Sequence, residues 1–184
     1  MSHTDYKLLV DEPFLMLNRF ISDMVPSQII ILVDDNTARY CLPILKKNLE
    51  HEFSIIEISS GEYYKNLDTC QLIWNELLEH NVDRQGLMIN LGGGVIGDMG
   101  GFVASTYKRG IRFIQMPTTL LSQVDASLGC KLGIDFQFQK NMIGLFRNPS
   151  MVFIQSQFLK TLNDREIKSG FAEIIKHGLI QSQS

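Results

Sequence analysis

The residues whose spacing most plainly suits chemistry form a glycine-rich run, Gly92-Gly93-Gly94-Val95-Ile96-Gly97-Asp98. Gly92, Gly94 and Gly97 satisfy G-x-G-x-x-G between an apolar stretch and a helical one. Without Cβ atoms the backbone can approach a pyrophosphate, and the N–H groups of a helix N-terminus can point at it. A tight strand–helix turn needing positive φ would use the same residues. The acid that usually follows such a turn by about 20 residues, and binds a ribose, is missing; residues 111–119 read IRFIQMPTT. Asp34 and Asn36, at the end of an earlier apolar run, offer that contact from another strand or form a plain Asx turn. Glu62 and Lys65 open a helix, as an i,i+3 ion pair or as ligand contacts.

Two further clusters carry polar chemistry. In residues 117–125 (PTTLLSQVD), Thr118 and Thr119 either cap a helix or offer hydroxyls to a ligand, and Asp125 lies in the helical stretch that follows. Lys131, Lys140 and Asn141 fall on a glycine-bearing loop, where lysines act as point charges for phosphate or are simply solvated. Glu173 and Lys176 share a helical face, with Ile174, Ile175 and Leu179 turned to a core. They make a surface ion pair, or a metal ligand beside a substrate-holding lysine. One carboxylate cannot hold a metal alone, and His3, His51, His80 and His177 are scattered.

Positioning these groups requires alternating strands and helices. Residues 28–33 (QIIILV), 53–58, 86–91 (GLMINL) and 112–116 read as short buried strands; residues 37–49, 63–80 and 98–107 carry helical patterns. On the second helix Leu67, Leu72, Ile73, Leu77 and Leu78 lie on or near one stripe. Alternation of this kind implies right-handed crossovers and a mostly parallel sheet with flanking helices, a Rossmann-like α/β fold whose ligands sit outside the strand carboxyl ends. The opening to about Ser27 reads as irregular, so the glycine turn follows the third strand. Residues 129–146 read as a polar excursion, 151–154 as a final strand and 163–180 as helix. The division expected is a nucleotide-binding domain over 1–162, and over 163–184 the first helices of a truncated helical domain.

Composition narrows the class. The chain has 184 residues, 45% hydrophobic and 20% charged, with a formal net charge of −3. That balance argues against nucleic-acid and anionic-membrane binding. Three cysteines without a CxxC pair suit a reducing compartment. The N-terminus has no signal-peptide pattern, and no apolar run approaches the roughly 18 residues a membrane span needs. A cytoplasmic enzyme fits.

Taken together, GGGVIGD (92–98), YKRG (107–110), FIQMPTTLLSQVDASLG (113–129), KNMIG (140–144) and GFAEIIKHGLI (170–180) resemble the 3-dehydroquinate synthase family. The resemblance runs from about Gln28 to Ile180 and implies a shikimate-pathway lyase, a homodimer using NAD and zinc (or cobalt). Its reaction converts 3-deoxy-D-arabino-heptulosonate 7-phosphate to 3-dehydroquinate and phosphate with transient NAD reduction. It implies NAD contacts at Asp34, Asn36, Glu62, Lys65, Gly93, Gly94, Val95, Asp98, Thr118, Thr119, Lys140, Phe158, Thr161, Leu162 and Glu166. Asp125, Lys131, Asn141 and Lys176 match residues around the substrate, Glu173 a zinc ligand, and Arg109 an arginine reaching the neighbouring subunit's phosphate. Two positions depart from the usual pattern. Cys130 replaces a glycine of GGK, as a crowding group or a tolerated neighbour, and Asp135 brings a negative charge near the anion site. The family's two zinc-ligating histidines belong to a helical domain not seen in this sequence, so this chain alone is expected to hold no catalytic zinc and to be inactive. The alternatives are a sister sugar-phosphate cyclase or an isolated NAD-binding domain; metal-dependent polyol dehydrogenases share the glycine turn but lack the Lys and Asn run.

Overall fold

A computed structural model describes residues 6–127 and 129–181. His3, Leu128 and the tail 182–184 lie outside them, and the side chain of His177 is likewise not described. Six strands form one wholly parallel sheet: β1 (Lys7–Val10), β2 (Ile29–Asp34), β3 (Ser54–Ile58), β4 (Leu87–Gly92), β5 (Arg112–Pro117) and, after a separate hairpin, β8 (Met151–Ile154). The spatial order is β1-β8-β5-β4-β2-β3. From β2 the chain winds outward to β3, then returns to β4 on the other side. The topological switch point therefore lies between the carboxyl ends of β2 and β4, where a doubly wound sheet opens a crevice.

Both faces are covered, so the strands are apolar throughout rather than alternating. Along β2, Ile30 and Leu32 face one core with Ile73 and Leu77 of α4 (Leu67–Glu79) and Met99 and Val103 of α5 (Gly94–Thr106). Ile29, Ile31 and Val33 face the other, with Leu17 and Ile21 of α1 (Phe14–Met24) and Leu45 of α3 (Leu42–Asn48). Burying each such side chain stabilises the fold by roughly 1.5–3 kcal/mol, which outweighs any local propensity.

Several expectations need correction. The opening is ordered: β1 and α1 precede the first expected strand, so the glycine turn follows the fourth strand and not the third. The helix 37–49 is two helices, α2 (Asp35–Tyr40) and α3, broken at Cys41, because Pro43 sits at the start of α3 and cannot continue a helix interior. On α4, Leu72 and Leu78 are exposed and the buried stripe is Thr69, Cys70, Ile73 and Leu77. Helix α5 starts at Gly94, inside the glycine run. The polar excursion is an antiparallel hairpin of β6 (Lys131–Phe136) and β7 (Gln139–Phe146), which places Lys131, Lys140 and Asn141 on strands. Helix α6 (Asp164–Gln181) forms as expected, but Ile174, Ile175 and Leu179 are exposed along with Phe171 and Ile180.

Candidate functional site

Two clefts of about 840 Å³ and 500 Å³ open beside the strand carboxyl ends. The larger lies at the switch point. Its floor is the strand–helix turn, where Gly93 stands at the N-cap of α5 and no side chain caps the helix. The first N–H groups of a 13-residue helix are left for a ligand, and the aligned peptide dipoles favour a negative one. A Cβ at Gly93 would stand 3.1 Å from the Thr119 methyl, and one at Gly92 2.5 Å from Ile96 Cβ. Glycine therefore serves close approach here, not unusual φ: Gly93 has φ −75.

The walls come from four other segments. At the end of β2, Asp34 caps α2: its Oδ1 accepts from Thr37 N at 2.7 Å and from Thr37 Oγ1 at 2.9 Å. The cap and the cleft are not alternatives, since Asp34 and Asn36 both line the cavity. After β5, Thr118 and Thr119 line it, while Thr119 Oγ1 and Ser122 Oγ share a 2.8 Å hydrogen bond that shapes the next turn. From the far side come Thr161, Leu162 and Glu166. Phe158, fully buried, is absent from the lining; its carbonyl accepts from Thr161 Oγ1 at 2.7 Å.

Glu62 and Lys65 do not pair with each other. Lys65, 4% exposed, donates at 2.6 Å to Asp98 Oδ2 and at 2.6 Å to Asn141 Oδ1, and Glu62 meets Lys140 at 3.2 Å. Lys140 points outward, 73% exposed, outside the lining. Asp98 borders both clefts. Burial pushes its carboxyl above the ordinary value; Lys65 opposes this, and Glu62 and Asp135 add smaller upward pushes.

The smaller cleft gathers Asp125, Lys131 and Asn141 with Asp98. Asp125 sits on a π-helical turn, Ser122–Ala126, in which Ser127 N reaches back to Ser122 O at 3.1 Å. Such turns re-aim one side chain out of helical register, a detail invisible to a 3.6-residue reading. Helix α6 abuts this turn: a Cβ at Gly170 would lie 2.5 Å from Leu120 Cβ. Glu173 and Lys176 on α6 form an ion pair outside the lining of both clefts, and this raises the ammonium pKa of Lys176, with Asp125 adding to the effect. Among the described residues, no three His, Cys, Asp or Glu side chains gather as a metal site. Glu173 alone does not fit a zinc ion.

Arg109 is elsewhere. It follows α5, whose 13 residues span roughly 20 Å, and lies beside Asp83, Arg84 and Gln85 at the opposite end of the helix from the cradle. Cys130 adopts φ 54 and its carbonyl accepts from Arg147 N at 3.1 Å; it lines neither cleft. The lining also includes Ser60, Tyr40 and Asn163, which the sequence reading did not single out. The Ser59-Ser60-Gly61 run is a local turn signal that could have found Ser60.

Known proteins are similar to this chain in sequence and in fold. The family model described as 3-dehydroquinate synthase N-terminal matches residues 55–169. A 3-dehydroquinate synthase of a Sulfurovum species is 50% identical over 151 residues, covering 82% of this chain and 43% of that protein. One from Pseudomonas aeruginosa is 44% identical over 182 residues, covering 98% and 50%. The chain thus spans about half the length of these relatives. Among solved structures, 2-epi-5-epi-valiolone synthase from Streptomyces hygroscopicus, with NAD+ and Zn2+ bound, aligns with TM-score 0.84 and 29% identity over 96% of this chain and 50% of that one. An iron-containing alcohol dehydrogenase, at TM-score 0.75 and 17% identity, shares the fold alone. With its parallel sheet, uncapped glycine cradle and matching sequence, this chain belongs to the 3-dehydroquinate synthase family, over that family's N-terminal domain.

Proposed function

We propose that the chain is the cofactor-binding part of a 3-dehydroquinate synthase, with NAD in the larger cleft and the phosphate of the sugar substrate in the smaller. The observation that carries this reading is the meeting of both clefts at Asp98, which would set a dinucleotide's reactive end beside the phosphate. Pyrophosphate would lie on the N–H groups of α5 at Gly93–Val95, with ribose against Asp34 and Asn36. Thr118, Thr119, Thr161, Leu162 and Glu166 would enclose the rest, Glu62 and Lys140 would close one edge, and Phe158 would support Thr161 from the core. Bound NAD supplies a hydride acceptor that returns the hydride, so the substrate is oxidised only transiently. Lys131 and Asn141 would hold the phosphate as it becomes a leaving group. Asp125 and Lys176 would orient hydroxyls and accept or deliver protons.

Residues 1–162 are assigned to the NAD-binding domain, and 163–184 to the start of the helical domain, where Glu173 would give one zinc ligand. Arg109, at the far end of α5 from its own chain's cradle, would meet the phosphate of a second copy, so a homodimer is part of the proposal. The net charge of −3 gives no support to nucleic acid or anionic membrane as a partner, and among the described residues no helix is long and apolar enough to cross a membrane; a cytoplasmic location is part of the proposal. A sister sugar-phosphate cyclase is the alternative, given the TM-score to the valiolone synthase.

Calorimetry with NAD tests the reading. The purified 184-residue chain should bind NAD and lose that binding on Gly94→Val, while producing no dehydroquinate itself. Binding unaffected by Gly94→Val would refute the cradle, and turnover would refute the need for further zinc ligands.

A further inference from the structure

The hairpin carries one polar contact that the proposed reaction leaves without a role. Asp135 occupies the register irregularity of the β6–β7 ladder. Ile134 pairs with Ile143 and Phe136 with Gln139, so Asp135 alone faces the three residues Lys140, Asn141 and Met142. Asn141 is forced into the left-handed region there, with φ 53. Its N–H is the donor to Asp135 Oδ1 at 2.8 Å, and the N–H of Asp135 donates in turn to the carbonyl of Lys65 at 2.8 Å. Lys65 Nζ then reaches Asn141 Oδ1 at 2.6 Å.

These contacts close a ring: Asp135 carboxylate, Asn141 backbone and side chain, Lys65 side chain and backbone, Asp135 N–H. We propose that Asp135 is a positioning residue, whose carboxylate and N–H clamp the hairpin to the Glu62–Lys65 turn so that Asn141 and Lys65 stay aimed at the border of the two clefts. The Asp135 carboxylate thus accepts from an N–H within its own hairpin. A bulge with a non-glycine residue at positive φ persists only where its surroundings over-determine it, and the Asp135 carboxylate is the acceptor that does so. The charge-assisted bond also explains why one side chain can organise two sites: Asn141 lines the smaller cleft and Lys65 the larger.

The inference rests on reading those clefts as the phosphate and NAD sites, and its test separates the two ideas. Amide hydrogen exchange by mass spectrometry would follow the hairpin, the 62–65 turn and strand β4 in Asp135→Ala and Asp135→Asn, with NAD affinity measured on the same preparations. In Asp135→Ala we expect exchange at 139–142 and 62–65 to quicken about tenfold and NAD to bind about tenfold more weakly, the scale of one hydrogen bond to a charged group. Strand β4 should be unchanged, which shows that the fold is intact. Asp135→Asn keeps an acceptor oxygen and should restore both values. Unchanged exchange in Asp135→Ala, or an Asp135→Asn variant as loose as Asp135→Ala, would overturn the clamp. Absence of NAD binding in the parent chain would refute the cofactor reading, while the exchange pattern would still decide the clamp.

Discussion

Replacing Lys65 by Met puts the electrostatics of the shared wall to the test. In the parent protein the Lys65 side chain is 4% exposed and meets a carboxylate, Asp98, that is 23% exposed. Breaking a buried ion pair by deleting one partner costs about 3–5 kcal/mol, because the remaining charge is left uncompensated. Partial exposure of Asp98 lets water recover some of that, so the expected loss at neutral pH is roughly 2–3 kcal/mol. For a chain of this size that corresponds to a fall in Tm of about 4–12 °C.

The pH dependence gives a sharper criterion. Burial already holds Asp98 above its ordinary pKa, and Lys65 is the main influence pulling it down. For a carboxylate raised in the folded state, the native protein binds the extra proton, so stability falls as pH rises through the interval between the two values. Lys65→Met extends that interval upward. The variant's deficit should therefore be small in acid, where Asp98 is neutral, and grow towards neutral pH. Adding Asp98→Asn removes the charge and should recover most of the loss along with its pH dependence. Melting curves at about pH 5 and about pH 8 read both effects. A Lys65→Met protein as stable as the parent at neutral pH, or a deficit equal at both pH values and indifferent to Asp98→Asn, would refute the argument.

Two other predictions follow from packing and burial. Gly100→Ala in α5 would set a Cβ 2.3 Å from Asn90 Oδ1 and 2.8 Å from Leu32 Cδ2, and overpacking of that kind should cost about 1–3 kcal/mol in urea unfolding; Asn90→Ala in the same background should relieve it, and additive losses would contradict the contact. Burial raises all three thiols, Cys70 to about 12, but Cys41 and Cys70 are buried whereas Cys130 is half-buried, so a thiol reagent added to the native protein should modify Cys130 first, with Cys41 and Cys70 following only in denaturant; equal rates for all three would show that the first two are not shielded.

The sequence by itself determined the parts whose signals are local. The apolar β-branched runs became β2, β3, β4, β5 and β8 within a residue or two at each end, since burial on both faces leaves continuous hydrophobic stretches. The glycine run declared a close-approach turn because no residue with a Cβ fits at Gly92 without striking Ile96. The Lys, Asn and Thr motifs offered groups suited to anions and nucleotides, or to plain caps and solvated loops, before any of them had a place. Where signals were weak, local reading failed. Strand β1 has four residues, with Leu8 and Val10 exposed at the sheet edge. Helix α1 begins at Pro13 without a side-chain cap and ends on Val25 at φ 46, where Gly or Asn would normally mark a stop.

Partners distant in sequence were decided only by the tertiary structure. Glu62 and Lys65 looked like a pair because helical spacing brings i and i+3 together. The short turn that holds them instead sends Lys65 inward to Asp98 and Asn141, and leaves Glu62 to Lys140. The hairpin likewise appeared as a polar loop, since its register, its bulge and the role of Asp135 depend on pairing between strands rather than on any periodicity within one. Desolvation and cross-chain hydrogen bonding are properties of assembled surroundings. They set which charges meet at the border of the two clefts, and no window of neighbouring residues contains them.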